Sequence, residues 1–379
     1  MKSYDLIVVG AGIVGLGAAL AAHRQGLKVA VVERSARAVG ASIRNFGFVT
    51  VTGQRAGAHW ERARRARDIW AEVAPQAGIP VLHAGLVMPA YREEAEAVMD
   101  AFLRTEMGAE CRRITPEAAQ EIVPSLRIEG MRAALYSPHE LRVESMTAVG
   151  QLAAWLGREG VEFHWSTTVL GISGTTVETS RGTMRADGVI VCPGDDFATL
   201  YPERFAPQGL RVCTLQMLRV VPGTATTFNA AVMSDLSYGR YEGFTGLPEA
   251  RALEARLNAE YAQARAAGIH VIAVQSADGS LVVGDSHVYD TAACPFAEDR
   301  VDALILDCFD ELFDMPGRQV SNRWTGTYAS GAGVIFLDRP APNVRLICVT
   351  GGTGASTAFA LGEQVLADLH SPAAEGTFA

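Results

Sequence analysis

The chain has 379 residues, 49% hydrophobic and 20% charged, a globular composition with no disorder signature and long enough that two subdomains are expected. Its net charge of −9 argues against nucleic acid or an anionic membrane as a partner. A small anionic ligand stays possible, because a local arginine cluster can override the global sign.

Residues 5–33 read as strand, turn, helix, strand: Asp5-Leu-Ile-Val-Val, then Gly10-Ala-Gly12-Ile13-Val14-Gly15, an alanine-rich helix, and Lys28-Val-Ala-Val-Val ending on Glu33. Gly10 permits the tight turn, Gly12 lets the backbone approach a pyrophosphate, and Gly15 lets the helix pack on the sheet. The helix N-terminus then offers free N–H groups and a positive dipole end to phosphates. Glu33, followed by Arg34, is placed to accept hydrogen bonds from ribose hydroxyls and to repel a 2′-phosphate, which disfavours NADP. The apolar run Leu6 to Ala22 is explained by this fingerprint. It is therefore read neither as a signal peptide nor as a membrane span, and no other stretch is long and uncharged enough to span.

Gly40 to Thr50 is polar and irregular. Residues 57–77 show helical periodicity, with Trp60, Ala63, Ile69, Trp70 and Val73 near one stripe. Gly85 to Pro89 reads as a strand, Arg92 to Met107 as a helix, and Thr115-Pro-Glu-Ala opens another. An amphipathic helix is expected over 144–160. Val161 to Trp165, Thr168 to Ile172, Thr175 to Ser180 and Thr183 to Ala186 then alternate like a small antiparallel sheet. Gly188 to Cys192, closed by Pro193-Gly194, is a strand returning to the parallel sheet. Residues 211–221, 228–233, 269–275 and 280–285 read as strands of a second sheet, interrupted by a helical stretch over 248–267 and followed by a helix over 297–313. Residues 345–369 repeat the opening idea, with Arg345-Leu-Ile-Cys-Val-Thr, Gly351-Gly352-Thr353-Gly354 and an apolar helix. Two such turns at opposite ends of one chain point to FAD. The expected fold class is α/β: a discontinuous Rossmann-like FAD-binding domain (1–84, 140–210 and 322–379) with a second, mostly antiparallel-sheet substrate domain (85–139 and 211–321).

Cysteines 111, 192, 213, 294, 308 and 348 show no C-x-x-C spacing, so buried, reduced thiols in a cytoplasmic protein are expected. No H-E-x-x-H or comparable ligand cluster is visible, and no metal is expected. The only lysines are Lys2 and Lys28, neither placed near a reaction centre. A Schiff base or lysine base is thereby disfavoured. Cationic contacts to a substrate fall to arginine or protonated histidine, and the planar fork of arginine suits phosphonate, phosphate or carboxylate.

The Gly10-to-Glu33 fingerprint, Ser42-Ile-Arg44-Asn45-Phe46-Gly47, Val191-Cys-Pro193-Gly194, Asp278-Gly279 with Val282-Val-Gly284-Asp285, Arg323-Trp324-Thr-Gly326 and the Gly351–Gly354 turn occur in an order that resembles the D-amino-acid oxidase superfamily, near glycine and sarcosine oxidases. The resemblance covers nearly the whole chain. The Ser42–Gly47 run together with Ser-Pro-His-Glu-Leu-Arg-Val-Glu, Ser137 to Glu144, resembles a narrower subgroup associated with breakdown of 2-aminoethylphosphonate and its N-alkylated derivatives. One departure is Ser330-Gly-Ala-Gly-Val-Ile-Phe-Leu-Asp338, whose aspartate stands late. No cysteine has a context resembling the covalent flavin link, so non-covalent FAD is expected.

The resemblance implies hydride transfer to flavin N5 from the carbon next to an amine nitrogen, then imine hydrolysis, with oxygen or another electron acceptor closing the cycle. It places Ser42 to Gly47 along the pyrophosphate and flavin, with Val169 and Gly326 among the cofactor contacts. N–H groups of Gly351, Gly352, Thr353, Gly354, Ala355 and Ser356 are expected at the flavin edge where charge develops. For the substrate, the order of preference is Arg323, Tyr328, Tyr241, His287, then Arg240. Tyr238, Tyr289, His139 and Arg142 stand in the same contexts, while Glu140, Arg142 and Glu144 read more simply as a salt-bridged helix start. The favoured substrate is 2-aminoethylphosphonate or its N-alkyl derivative. Glycine, sarcosine or a D-amino acid comes second; hydroxy-acid oxidation or a non-catalytic flavoprotein subunit follows. The oligomeric state is left open.

Overall fold

The computed structural model describes residues 2–371. The first part of the chain runs β1 (Ser3–Val9), α1 (Ile13–Arg24), β2 (Val29–Val32), β3 (Phe48–Val49), α2 (Ala58–Ala77), β4 (Val81–Ala90), α3 (Glu93–Leu103), β5 (Arg112–Ile114), α4 (Pro116–Ile122), β6 (Ala133–Val143) and α5 (Ser145–Arg158). Next come β7 (Glu162–His164), β8 (Val169–Ser173), β9 (Thr176–Thr179), β10 (Gly182–Val191), α6 (Pro202–Phe205), β11 (Arg211–Val221), β12 (Ala231–Met233), α7 (Glu242–Thr245), α8 (Ala250–Glu260) and α9 (Ala262–Ala266). The last part is β13 (Ile272–Gln275), β14 (Leu281–Gly284), β15 (Val288–Asp290), α10 (Asp299–Leu312), β16 (Gln319–Ala341), β17 (Val344–Gly351) and α11 (Gly354–His370). The expected domain that ends at 379 has residues 372–379, and the one that begins at 1 has Met1, outside the described residues.

A parallel sheet in the order β7-β2-β1-β10-β17 carries the fingerprint. Strands β1 and β2 and the second half of β10 carry buried Val/Ile/Leu runs, as a sheet covered on both sides requires, whereas the edge strand β7 is half-buried. Helices α1 and α11 pack so closely that a Cβ at Gly17 would stand 2.4 Å from the Ala358 carbonyl oxygen, and one at Gly362 2.4 Å from Gly17. The first and last helices are thus clasped together, which brings both glycine turns to one end of the sheet.

The second sheet is mixed, mostly antiparallel: β16-β11-β14-β13-β12-β4-β6, with β12 and β4 parallel. Its core gathers Phe102, Tyr238, Phe244, Phe309 and Phe313, all fully buried. Strand β16 joins the two sheets. Its first half pairs with β11 and its second half with β17, with a register shift between Ser330 and Ile335. Gly331 and Gly333 sit at that shift, as glycines do where a strand bends. Strands β4, β6 and β16 each cross one of the expected domain boundaries.

Four local expectations are corrected. Val161 to Trp165 belongs to the parallel sheet, because β7 pairs with β2. Thr183–Ala186 and Gly188–Cys192 form one continuous strand, β10, antiparallel to β9 at its start and parallel to β1 along most of its length. Glu140 and Arg142 are not a helix start. They lie in β6, fully buried, with helix α5 beginning only at Ser145. Of the cysteines, which are all free, Cys294 is exposed rather than buried. Among the described residues no helix is long and apolar enough to cross a membrane.

Candidate active site

A cavity of about 580 Å³ opens where the parallel sheet, the bend of β16 and the second sheet meet. Its walls include Gly10, Gly12, Ile13, Val14 and Gly15 of the first turn, Glu33 and Arg34 after β2, and Ser42, Arg44, Asn45 and Phe46 of the polar segment. Val169, Pro193, Gly194, Gly326 and every residue from Gly351 to Ser356 complete that end. Arg240, Tyr241, His287 and Tyr328 line the other end.

Each part of the cofactor end has a local cause. A Cβ at Gly15 would stand 1.9 Å from the Gly10 carbonyl oxygen, so only glycine lets α1 start directly under the turn. Glu33 accepts from Ala11 N–H and Ser35 N–H, both at 2.9 Å, and so fixes the turn to the end of β2. Ser42 Oγ accepts from Ile13 N–H at 2.9 Å, which locks the polar segment onto the helix N-terminus. Asn45 stabilises that segment internally, donating to the Ala41 carbonyl and accepting from Gly47 N–H at 2.7 Å. Trp324 Nε1–H donates to the Arg44 carbonyl at 3.1 Å, seating the segment on β16.

Helix α11 begins at Gly354 with no side-chain cap on its first N–H groups. Gly352 holds φ +72°, and the Thr353 hydroxyl oxygen is buried without a hydrogen-bond partner among the described residues. A row of backbone donors, an orphaned hydroxyl and a second helix N-terminus facing one cavity is the donor set a dinucleotide with a flavin ring uses. The residues present fit FAD.

Comparison with known proteins agrees. The family described as FAD dependent oxidoreductase (DAO) matches residues 5–369. The chain belongs to that family. Among solved structures, L-proline dehydrogenase from P. horikoshii superposes with a TM-score of 0.77 at 19% identity, covering 96% of this chain and 92% of that one. Glycine oxidase from Geobacillus kaustophilus gives 0.76 at 17%, covering 97% and 95%. The FAD-bound L-alpha-glycerophosphate oxidase from Mycoplasma pneumoniae gives 0.71 at 16%, covering 97% and 95%. No curated protein matches by sequence. The protein is an FAD-dependent oxidoreductase, and its fold is that of these enzymes.

At the far end of this oxidoreductase's cavity, two expected residues are elsewhere. Arg323 does not line the cavity; its guanidinium is half exposed and pairs with buried Asp302 at 2.7 Å. On β16, Arg323 stands opposite Leu218, closer to the strand's start than the cavity-lining stretch that begins at Gly326. Gly47 is also absent from the wall. A Cβ there would strike the Val143 carbonyl oxygen at 1.8 Å, so its role is to seat the polar segment on β6. Arg142 and His139 are buried in the second sheet's β6, and Tyr238 donates to the Met88 carbonyl inside the core.

The residues that do converge are Arg240, Tyr241, His287 and Tyr328, joined by Arg211, His270, Asp285 and Tyr289. Arg240 donates to the Tyr289 hydroxyl at 2.9 Å, and Arg211 lies over the same ring, 5.3 Å from its centroid. Among the described residues neither guanidinium has a carboxylate within ion-pair distance, nor does Arg44, whereas Arg34 and Arg55 pair with Asp196 and Glu242. Burial pushes the Tyr241 and Tyr328 phenols well up, so both stay protonated donors. Burial raises the Cys213 thiol to about 11, which keeps it neutral.

His270, Asp285 and His287 bring their ligand atoms within 4.8 Å of one another. The absence of a linear ligand motif was therefore no guide to side-chain grouping: residues 15 and 17 positions apart meet here because β13 and β14 are antiparallel neighbours. Burial raises the Asp285 carboxyl and lowers both imidazoles. Sequence offers no contact role for either His270, which stands alone in an apolar strand context, or Asp285, which enters only as the end of the Val282-Val-Gly284-Asp285 motif.

Proposed function

We propose that this FAD enzyme oxidises a small anionic amine, with 2-aminoethylphosphonate or its N-methyl or N-alkyl derivative as the favoured substrate. One observation carries the reading. Three arginines, Arg44, Arg211 and Arg240, line the cavity with no carboxylate within ion-pair distance among the described residues, and two of them meet Tyr289. These guanidinium groups, solvent-accessible at the cavity mouth, are available to an anion, and a phosphonate dianion offers three oxygens to such forks where a carboxylate offers two. The names of the glycine oxidase and proline dehydrogenase structures support amine chemistry, and the Ser42–Gly47 and Ser137–Glu144 segments support the phosphonate subgroup.

The chemistry that non-covalently bound FAD supplies is acceptance of hydride from the carbon next to nitrogen, after which the imine hydrolyses to an aldehyde and an amine. The protein's own tasks are separate. Arg240 and Arg211 hold the anion, oriented by Tyr289. Tyr241 and Tyr328, neutral through the working pH range, donate hydrogen bonds without adding charge. The first N–H groups of α11, with the Gly351–Gly354 turn, offer partial positive charge at the flavin edge. Product analysis tests the reading. N-methyl-2-aminoethylphosphonate with an artificial electron acceptor is expected to yield methylamine and a phosphonate aldehyde trapped as its hydrazone. Glyoxylate from sarcosine, with no carbonyl from any phosphonate, would move the substrate to the amino acids.

A further inference from the structure

His287 Nδ1 lies 2.8 Å from the Gly268 carbonyl oxygen, which can only accept. The Nδ1 position therefore carries the proton, and Nε2 of the neutral ring carries a lone pair. His270 Nδ1 lies 3.3 Å from Ser237 Oγ, which gives its own proton to the His270 carbonyl at 3.0 Å. That hydroxyl oxygen is left as an acceptor, so His270 Nδ1 is also the protonated nitrogen. Both Nε2 lone pairs then turn toward Asp285: His270 Nε2 is 3.4 Å from Oδ1 and His287 Nε2 is 3.7 Å from Oδ2. Among the described residues Asp285 Oδ1 has no hydrogen-bond partner, although its side chain is more than nine-tenths buried. With Asp285 ionised, its carboxylate and the two Nε2 lone pairs are acceptors that face one another at the cavity wall, with no donor between them among the described residues. The buried Oδ1 in particular is costly to leave without a donor.

Water in the open cavity can supply donors at rest, but a ligand that displaces it has to bring its own. We propose that His270, Asp285 and His287 form the docking subsite for the substrate's protonated amine. The inference rests on the anionic-amine reading above. An ammonium or alkylammonium brings two or three N–H donors, which matches the acceptor set. Arg240 neighbours the same three residues, so the opposite end of a short zwitterion meets its anion partner beside the amine partner. The subsite also lies near the final glycine turn. The His287 ring is 6.5 Å from that of Tyr328, and Tyr328 touches Gly352. Before hydride can leave, the ammonium must lose one proton. Its N–H bond breaks, the pair stays on nitrogen, and the proton passes to an Asp285 oxygen or a histidine Nε2. The charged and titratable groups facing this subsite are Arg240, Tyr241, Tyr289, Tyr328 and the Cys213 thiol.

The test uses dithionite-reduced holoenzyme under nitrogen, so that ligands bind without turning over. Calorimetry compares isosteric pairs in which methyl replaces ammonium: 2-aminoethylphosphonate against propylphosphonate, and glycine against propionate. The wild type is expected to prefer the ammonium member of whichever pair binds by about ten- to a hundredfold, the range of hydrogen bonds to charged groups. Asp285→Asn is expected to shrink that preference to a few-fold while leaving the affinity of the methyl member unchanged. Equal affinity of both members in the wild type would overturn the subsite assignment alone, leaving the anion site intact. No binding by either pair would remove the anionic-amine reading and the subsite together. A stoichiometric divalent metal in the purified holoenzyme, lost in Asp285→Asn, would overturn it in favour of a metal centre.

Discussion

Tyr328 stands against Gly352, so close that a Cβ on the glycine would lie 3.1 Å from the tyrosine Cζ. This contact joins β16, the strand shared by both sheets, to the turn that opens α11. Tyr328 therefore links the cofactor end of the cavity to its substrate end.

Gly352→Ala should fail on two counts. A side chain at φ +72° costs roughly 1–2 kcal/mol, and the new methyl presses on Tyr328. FAD affinity is expected to fall about ten- to a hundredfold. Titration of the apoprotein with FAD, followed by flavin fluorescence, measures it.

Arg323 and Arg240 should separate cleanly. Arg323→Ala breaks a peripheral pair with Asp302 and is expected to change substrate affinity less than about twofold, with some loss of stability because buried Asp302 keeps only Gln216. Arg240→Ala is expected to weaken binding of the anion by about a hundredfold or more. Equal effects would mean that the cavity wall has been misassigned.

Stability should fall in mild acid. Burial lowers His59 to about 4 and His83 to about 3, against about 6.5 in the unfolded chain. A group with a depressed folded pKa binds its proton more readily when unfolded. The stability held by these neutral rings is therefore complete above about pH 6.5 and lost as pH falls toward 4 and 3. One unit is worth about 1.4 kcal/mol, so each ring carries a few kcal/mol. Urea midpoints at pH 7.5 and 4.5 are expected to differ strongly in the wild type and less in His59→Gln and His83→Gln.

The reoxidation half-reaction should be slow in air. Lys2 pairs with Glu162 and Lys28 lies 5.1 Å over the Tyr4 ring, so neither lysine reaches the cavity. Stopped-flow mixing of the reduced enzyme with air-saturated buffer is expected to show reoxidation slower than reduction by substrate. A fast phase would assign oxygen activation to an arginine or histidine of the cavity.

The legible parts of the sequence were those in which local pattern and tertiary role coincide. Gly10, Gly12, Gly15 and Glu33 announce their turn because chain geometry alone fixes it. Strand β16 was not legible beyond its named motifs. Its Gly-Thr-Tyr-Ala-Ser-Gly-Ala-Gly stretch lacks apolar alternation, since one half pairs in each sheet and the bend between them needs glycine. Arg323 misled for a related reason: two or three residues along a strand separate a surface pair from a cavity wall. Asp285 and His270 meet only through the pairing of β13 with β14, which no spacing in the chain reveals.

The central claim, oxidation of a small anionic amine, is most directly tested by anaerobic mixing of the holoenzyme with single substrates while flavin absorbance near about 450 nm is followed. Rapid bleaching by N-methyl-2-aminoethylphosphonate or 2-aminoethylphosphonate, with little response to sarcosine, glycine or D-alanine, is the predicted result. Bleaching by a hydroxy acid or glycerol phosphate, with none by any amine, would contradict it.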